Sequence, residues 1–116
     1  MRMWGVPTFY MCDQHLLGEH VEMHMFVGSL LKGKNITGFV EGGLVDLRQL
    51  RSRHDKIVQE MKRRGMNHNS PLPYYDNFLK LPDNMGGISV LKNVEELRSR
   101  CKDCAARIEQ HERKVS

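Results

Sequence analysis

The sequence predicts a mostly α-helical fold: a compact single domain over residues 1–116, with about three helices joined by long irregular connections. Three observations lead there. Apolar residues recur at helical spacing in three separate segments. Gly, Pro, Asn and Ser crowd the stretches between them. A length of 116 residues with 40% in the hydrophobic class suits one modest core, which buries roughly two-thirds of the unfolded surface on folding.

Residues 1 to 11 read as an arm, because Gly5 and Pro7 oppose a long regular element, and Trp4, Phe9 and Tyr10 are available to pin it to a core. The first helix is expected from Cys12 to Leu31. Asp13 is its candidate N-cap and Gly33 its stop. Leu16, Leu17, Met23, Val27, Leu30 and Leu31 form an apolar stripe, and His15, Gly18, Glu19 and Glu22 line a neighbouring face. The stretch Lys32 to Gly43 has four glycines in 12 residues and reads as a connector, with a short extended piece at Ile36 to Val40. It lacks the GxxxxGK[ST] pattern of a phosphate-binding loop.

Asp46 to Arg64 is the strongest helical pattern, with Leu47, Leu50, His54, Ile57, Val58 and Met61 on one face and Gly65 as its stop. His54 lies inside that stripe and reads as a hydrogen-bonded core histidine. Met66 to Tyr75 is turn chemistry throughout, a place where substrate contacts could be carried or simply a turn. Residues 76 to 87 read as irregular. A third helix is expected from Asn93, with Val94, Leu97, Cys101, Cys104 and Ile108 at core spacing.

No apolar run approaches the roughly 20 residues that span a bilayer, and the N-terminus has no signal-like apolar segment. Three cysteines is an odd count for a disulfide framework. Cys101 and Cys104 could be half of a zinc site, but a second CxxC pair is missing and only Cys12 is left over. The thiols are therefore read as small buried hydrophobes, with no metal expected. His20 and His24, at i and i+4, open a different alternative, a metalloprotein in which a carboxylate completes the set, although HExxH is not present.

The 18 Lys and Arg exceed the 14 Asp and Glu, giving a net charge of +4. Arg48, Arg51, Arg53, Lys56, Lys62, Arg63 and Arg64 fall within 17 consecutive positions. That clustering fits either a polyanionic partner or a solvated helix face interrupted by Asp55 and Glu60.

Asp13-Gln14-His15-Leu16, followed by Glu19 and Glu22, resembles the small phage-type pyrimidine-dimer DNA glycosylases with abasic-site lyase activity. The similarity continues through RHDKIVQEMKRRGMNHNSP and covers most of the chain. The resemblance implies a metal-free, cofactor-free monomeric enzyme of the cytoplasm of a bacterial or phage-infected cell. It acts on double-stranded DNA with a damaged, modified or abasic site and has no membrane association.

The chemistry it implies starts from the N-terminal α-amine, since such amines, with an ordinary pKa of about 7.7 to 8.0, are partly neutral near pH 7, unlike lysine at about 10.4. The amine attacks C1′ of the sugar and forms a Schiff base while a carboxylate handles protons. The matching carboxylate is Glu22. Arg2 is too bulky for removal of the initiator, so the amine is that of a retained Met1. His15 resembles the family's active-site histidine, and Arg2 an arginine that contacts DNA phosphate. The basic helix and following loop offer Arg48, Arg51, Lys62, Arg63, Arg64, Asn67 and His68 to DNA. Val21 and Met25 stand where family members carry further arginines, and the tail IEQHERKVS lacks the family's aromatics, which leaves the lesion open. A non-catalytic DNA-binding or regulatory protein on the same scaffold is the alternative.

Overall fold

The computed structural model describes residues 1–68, 70–72 and 81–115. Five helices occur among them: α1 Asp13–Leu31, α2 Thr37–Glu41, α3 Leu50–Arg63, α4 Val90–Arg100 and α5 Lys102–Val115. Two 3-10 turns, Thr8–Tyr10 and Leu47–Gln49, precede α1 and α3. The described residues contain no strand, only an isolated antiparallel bridge between Asp46 and Gly86. The fold is mostly α, as the periodicity predicts.

Local signals account for α1 and α3. Cys12, not Asp13, caps α1: its thiol accepts the His15 N–H, and Asp13 begins the first turn, where an acidic group suits the helix dipole. The chain leaves α1 through Gly33 at φ 69°, a left-handed conformation that glycine adopts without a Cβ penalty. Asp46 accepts the Arg48 N–H and starts the turn that leads into α3.

Two elements differ from expectation. Ile36 to Val40 is not extended, because Thr37–Glu41 is the short helix α2. The single C-terminal helix is two helices, with the break at Cys101, whose backbone is extended at φ −129°, ψ 114°. Ser89, rather than Asn93, caps α4. The Met66 to Tyr75 loop is described only through residue 72, apart from residue 69. The remainder of that loop and the irregular stretch up to residue 80 lie outside the described residues.

α1 packs along α3, and α5 covers the Thr8–Tyr10 turn. The core draws Leu16, Met23, Phe26 and Val27 from α1, Leu50, Ile57 and Met61 from α3, Met3, Val6 and Met11 from the arm, and Leu97 from α4. Leu17 and Leu31, placed on the apolar stripe by spacing, face solvent, and Glu19 and His20 are buried in their stead.

The arm has no ladder of its own, so its buried carbonyls need outside donors. Asn93 Nδ2 donates to Trp4 O at 2.8 Å, Arg53 to Val6 O at 2.7 Å, Arg64 to Thr8 O at 3.1 Å and Arg107 to Phe9 O at 3.0 Å. Met3 N–H in turn donates to Leu44 O at 2.7 Å. These contacts tie the first residues of the chain to α3, α4 and α5.

Gly86 allows the Asp46 bridge to form. Its φ is +79°, and a Cβ there would stand 2.3 Å from Val45 O. Gly86→Ala is therefore expected to cost at least about 1 to 3 kcal/mol, read as a lower urea midpoint at unchanged slope. An unchanged midpoint would contradict this reading of the turn.

Candidate active site

Glu22 lies midway along α1, half-buried. The start of the arm lies near it: the Arg2 backbone amide and the Met1 ammonium are both close enough to favour its charged form. Burial is the largest influence and pushes the carboxyl above the ordinary glutamate range. The Met1 ammonium and the Arg2 amide oppose that rise, Glu19 adds to it, and the Arg2 guanidinium opposes it. A carboxylate so balanced, next to an amine, has the equipment for proton transfer at a reacting carbon.

The Arg2 side chain reaches toward α4. Its guanidinium donates to Asn93 Oδ1 at 2.6 Å and Glu96 Oε2 at 2.5 Å, and it stacks over Trp4 with Cζ 3.8 Å from the ring centroid. It clamps the arm onto α4, and only 16% of the side chain is exposed, so it is not presented as a phosphate ligand.

The face that spacing assigned to His15, Glu19 and Glu22 is divided three ways. Glu19 enters the core and takes Arg53 in a two-pronged pair, 2.6 and 2.8 Å. His15 turns to sulphur, with Nδ1 3.2 Å from Cys12 Sγ and 3.6 Å from Cys104 Sγ. Glu22 alone meets the chain terminus.

The basic residues divide as well. Arg48, Arg51, Lys62, Arg63 and Asn67 are exposed, with Arg48 held by Asp46 at 3.0 Å and Arg63 3.3 Å from Glu60. Arg64 is structural: only 12% exposed, it ties Glu60 and Asp13 together, each at 2.9 Å. His68 faces inward, its ring 5.0 Å from His20.

A family model described as pyrimidine dimer DNA glycosylase matches residues 1–74. The chain belongs to the pyrimidine dimer DNA glycosylase family. No curated protein and no solved structure matches the chain. In this family member the matched segment carries the arm, α1 and α3, hence both Met1 and Glu22, while α4 and α5 lie beyond it. Among the described residues no helix is long and apolar enough to cross a membrane.

This glycosylase-family chain also gathers two groups of side chains able to hold a metal ion: Cys12, His15, Cys101 and Cys104, and separately His20, His24, His54 and His68. In each group the ligand atoms lie within 4.8 Å of one another. The first overturns the reading of Cys101 and Cys104 as half a site without a second pair. The missing half is Cys12-x-x-His15, a signal present in the sequence once histidine is counted beside cysteine. In the second, His54 is buried as expected, but it joins three other histidines, and among the described residues the group contains no carboxylate beside His20 and His24. Burial first, then His54, His24 and His68, lower the His20 pKa to about 4, so that ring is neutral at physiological pH.

A concavity of about 630 Å³ is at the far end of α1 between Leu30, Ile36, Val40 and Leu81. Eight helical residues, about 12 Å of rise, separate Leu30 from Glu22, so this space is distinct from the arm and its amine.

Proposed function

We propose that the protein is a DNA glycosylase with abasic-site lyase activity on damaged or modified pyrimidines, using the Met1 α-amine as nucleophile and Glu22 as the proton-transferring carboxylate. The observation that carries this reading is that the chain terminus lies within electrostatic reach of half-buried Glu22, inside the segment that matches the glycosylase family.

The neutral amine attacks C1′, and the bond from C1′ to the base breaks, with the base leaving as it takes a proton. Ring opening then leaves an iminium between Met1 and the sugar. A base, assigned to Glu22, removes a proton from C2′, and the electron pair expels the 3′ phosphate oxygen, cutting the strand. Water hydrolyses the imine and returns the amine. Glu22 also faces the cationic sugar as charge develops.

Exposed Arg48, Arg51, Lys62 and Arg63 give the duplex a basic surface, and their phosphate contacts make binding salt-dependent. The target nucleotide must leave the stack, which costs least at a damaged or abasic position and so contributes selectivity. Val21 and Met25 are exposed and uncharged on α1, which favours contact with a base or sugar over a phosphate at those positions. The same two residues favour a second reading, a DNA-binding scaffold without turnover, which predicts salt-sensitive binding and an uncut strand.

A Gly-Ser extension ahead of Met1 separates the two. It removes the reacting amine from the Glu22 carboxylate without altering the basic surface. The extended protein is expected to bind an abasic duplex as the parent does and to lose strand cleavage by at least about a hundredfold. Cleavage at the parental rate would refute the assignment of Met1, and a parent that binds but never cuts would favour the scaffold.

A further inference from the structure

We propose that Cys12, His15, Cys101 and Cys104 bind a zinc ion that fastens the α4–α5 unit to the start of α1. The inference goes beyond the activity proposed above, and its tests read metal and thiol chemistry rather than strand cleavage.

The spacing of the ligand atoms fits the ion. Tetrahedral zinc, with sulphur at about 2.3 Å and imidazole nitrogen at about 2.05 Å, has sulphur–nitrogen edges of about 3.5 Å and sulphur–sulphur edges of about 3.8 Å, and the distances here lie within about 0.4 Å of these. Here Cys12 Sγ is 3.2 Å from His15 Nδ1, Cys104 Sγ is 3.6 Å from the same nitrogen, and Cys12 Sγ is 3.9 Å from Cys101 Sγ. The sulphurs are far outside the roughly 2.05 Å of a disulfide, and all three cysteines are free.

The backbone is arranged for thiolates. Each sulphur accepts a main-chain N–H: His15 N to Cys12 Sγ at 3.5 Å, Cys104 N to Cys101 Sγ at 3.4 Å and Cys12 N to Cys104 Sγ at 3.2 Å. Neutral thiols are weak acceptors, whereas metal-bound thiolates gain from such donors. The helix break has no other evident cause. Neither Gly nor Pro lies near Cys101, yet the chain leaves helical geometry at that residue and re-enters it at Lys102, which brings both CxxC sulphurs to one point. Four protein ligands leave no open position, so the ion is structural.

The test uses the full chain, stripped with a chelator and reloaded with zinc or cobalt. Cobalt is expected to produce a thiolate-to-metal charge-transfer band that is lost in Cys101→Ser/Cys104→Ser. Zinc is expected to protect Cys12 and Cys101 from iodoacetamide in the unsubstituted protein, at least tenfold in rate, with protection removed by chelator. Because the alkylation needs no variant, misfolding of the serine protein leaves the proposal exposed. No charge-transfer band, or alkylation at equal rates with and without zinc, would overturn it.

An independent observation points to a second ion among His20, His24, His54 and His68. All four Nε2 atoms are buried and, among the described residues, without a hydrogen-bond partner, a costly arrangement for polar groups. Their rings converge from α1, α3 and the following loop at centroid separations of 4.8 to 5.5 Å. His54 Nδ1 lies 3.0 Å from Asp55 Oδ1, the outer carboxylate that fixes the tautomer with Nε2 free to ligate. A set of four imidazoles suits a late first-row divalent ion, and zinc is the probe.

In proton–nitrogen imidazole spectra of the stripped protein, adding zinc is expected to move all four Nε2 resonances together, with a stoichiometry that Cys101→Ser/Cys104→Ser does not change. Resonances that stay in place at saturating zinc would overturn this second site.

Discussion

Glu22→Gln is expected to lower strand cleavage of an abasic duplex by about 10²- to 10⁴-fold, the range typical of a positioned acid–base group, while duplex affinity changes by less than about twofold. Glutamine keeps the length of the side chain and an oxygen for the Arg2 amide, so the arm retains its seat. It lacks the charge proposed to face the cationic sugar and the basicity proposed to remove the C2′ proton. Single-turnover cleavage and equilibrium binding measured on the same duplex separate these effects. Parental cleavage would remove Glu22 from the chemistry, and an equal loss of affinity would make it a binding residue instead.

Arg53→Met is expected to cost about 3 to 5 kcal/mol of folding stability, the range for breaking a buried ion pair by removing one partner. Both members are buried, and the pair is two-pronged, at 2.6 and 2.8 Å. The substitution leaves the Glu19 carboxylate without its cation and Val6 O without its 2.7 Å donor. Replacing both residues, as Glu19→Leu with Arg53→Met, should recover much of the loss, because two apolar side chains need no pairing. Urea unfolding reads both variants. A single-variant loss below about 1 kcal/mol would show that the pair contributes little. Arg53 also holds the arm through Val6, so loosening it should slow any reaction that uses the Met1 amine.

What could be read from the sequence was what local spacing encodes. α1 and α3 were legible because apolar residues repeat at helical intervals between a polar start and a glycine stop. The proposed pairing of Met1 with Glu22 came only through resemblance, since no spacing rule brings residue 1 to residue 22. The rest depended on convergence across the chain. Glu19 looked like a site residue until Arg53, 34 positions away, took its carboxylate. Arg2 and Arg64 looked like phosphate ligands, but the carbonyls, acids and aromatic ring near the arm claimed their guanidinium groups. The Cys101 break runs against a continuous helical pattern, so periodicity could not reveal it, and four histidines spread over residues 20 to 68 form a cluster only once α1 lies against α3.

The most direct measurement is borohydride trapping on an abasic duplex, followed by mapping of the modified peptide. Borohydride reduces an iminium to a stable amine, so it fixes the nucleophile to its sugar in the act. The account predicts a covalent protein–DNA adduct whose modification sits on the α-nitrogen of Met1. An adduct on a lysine side chain, or strand cleavage with no trapped species, would contradict it.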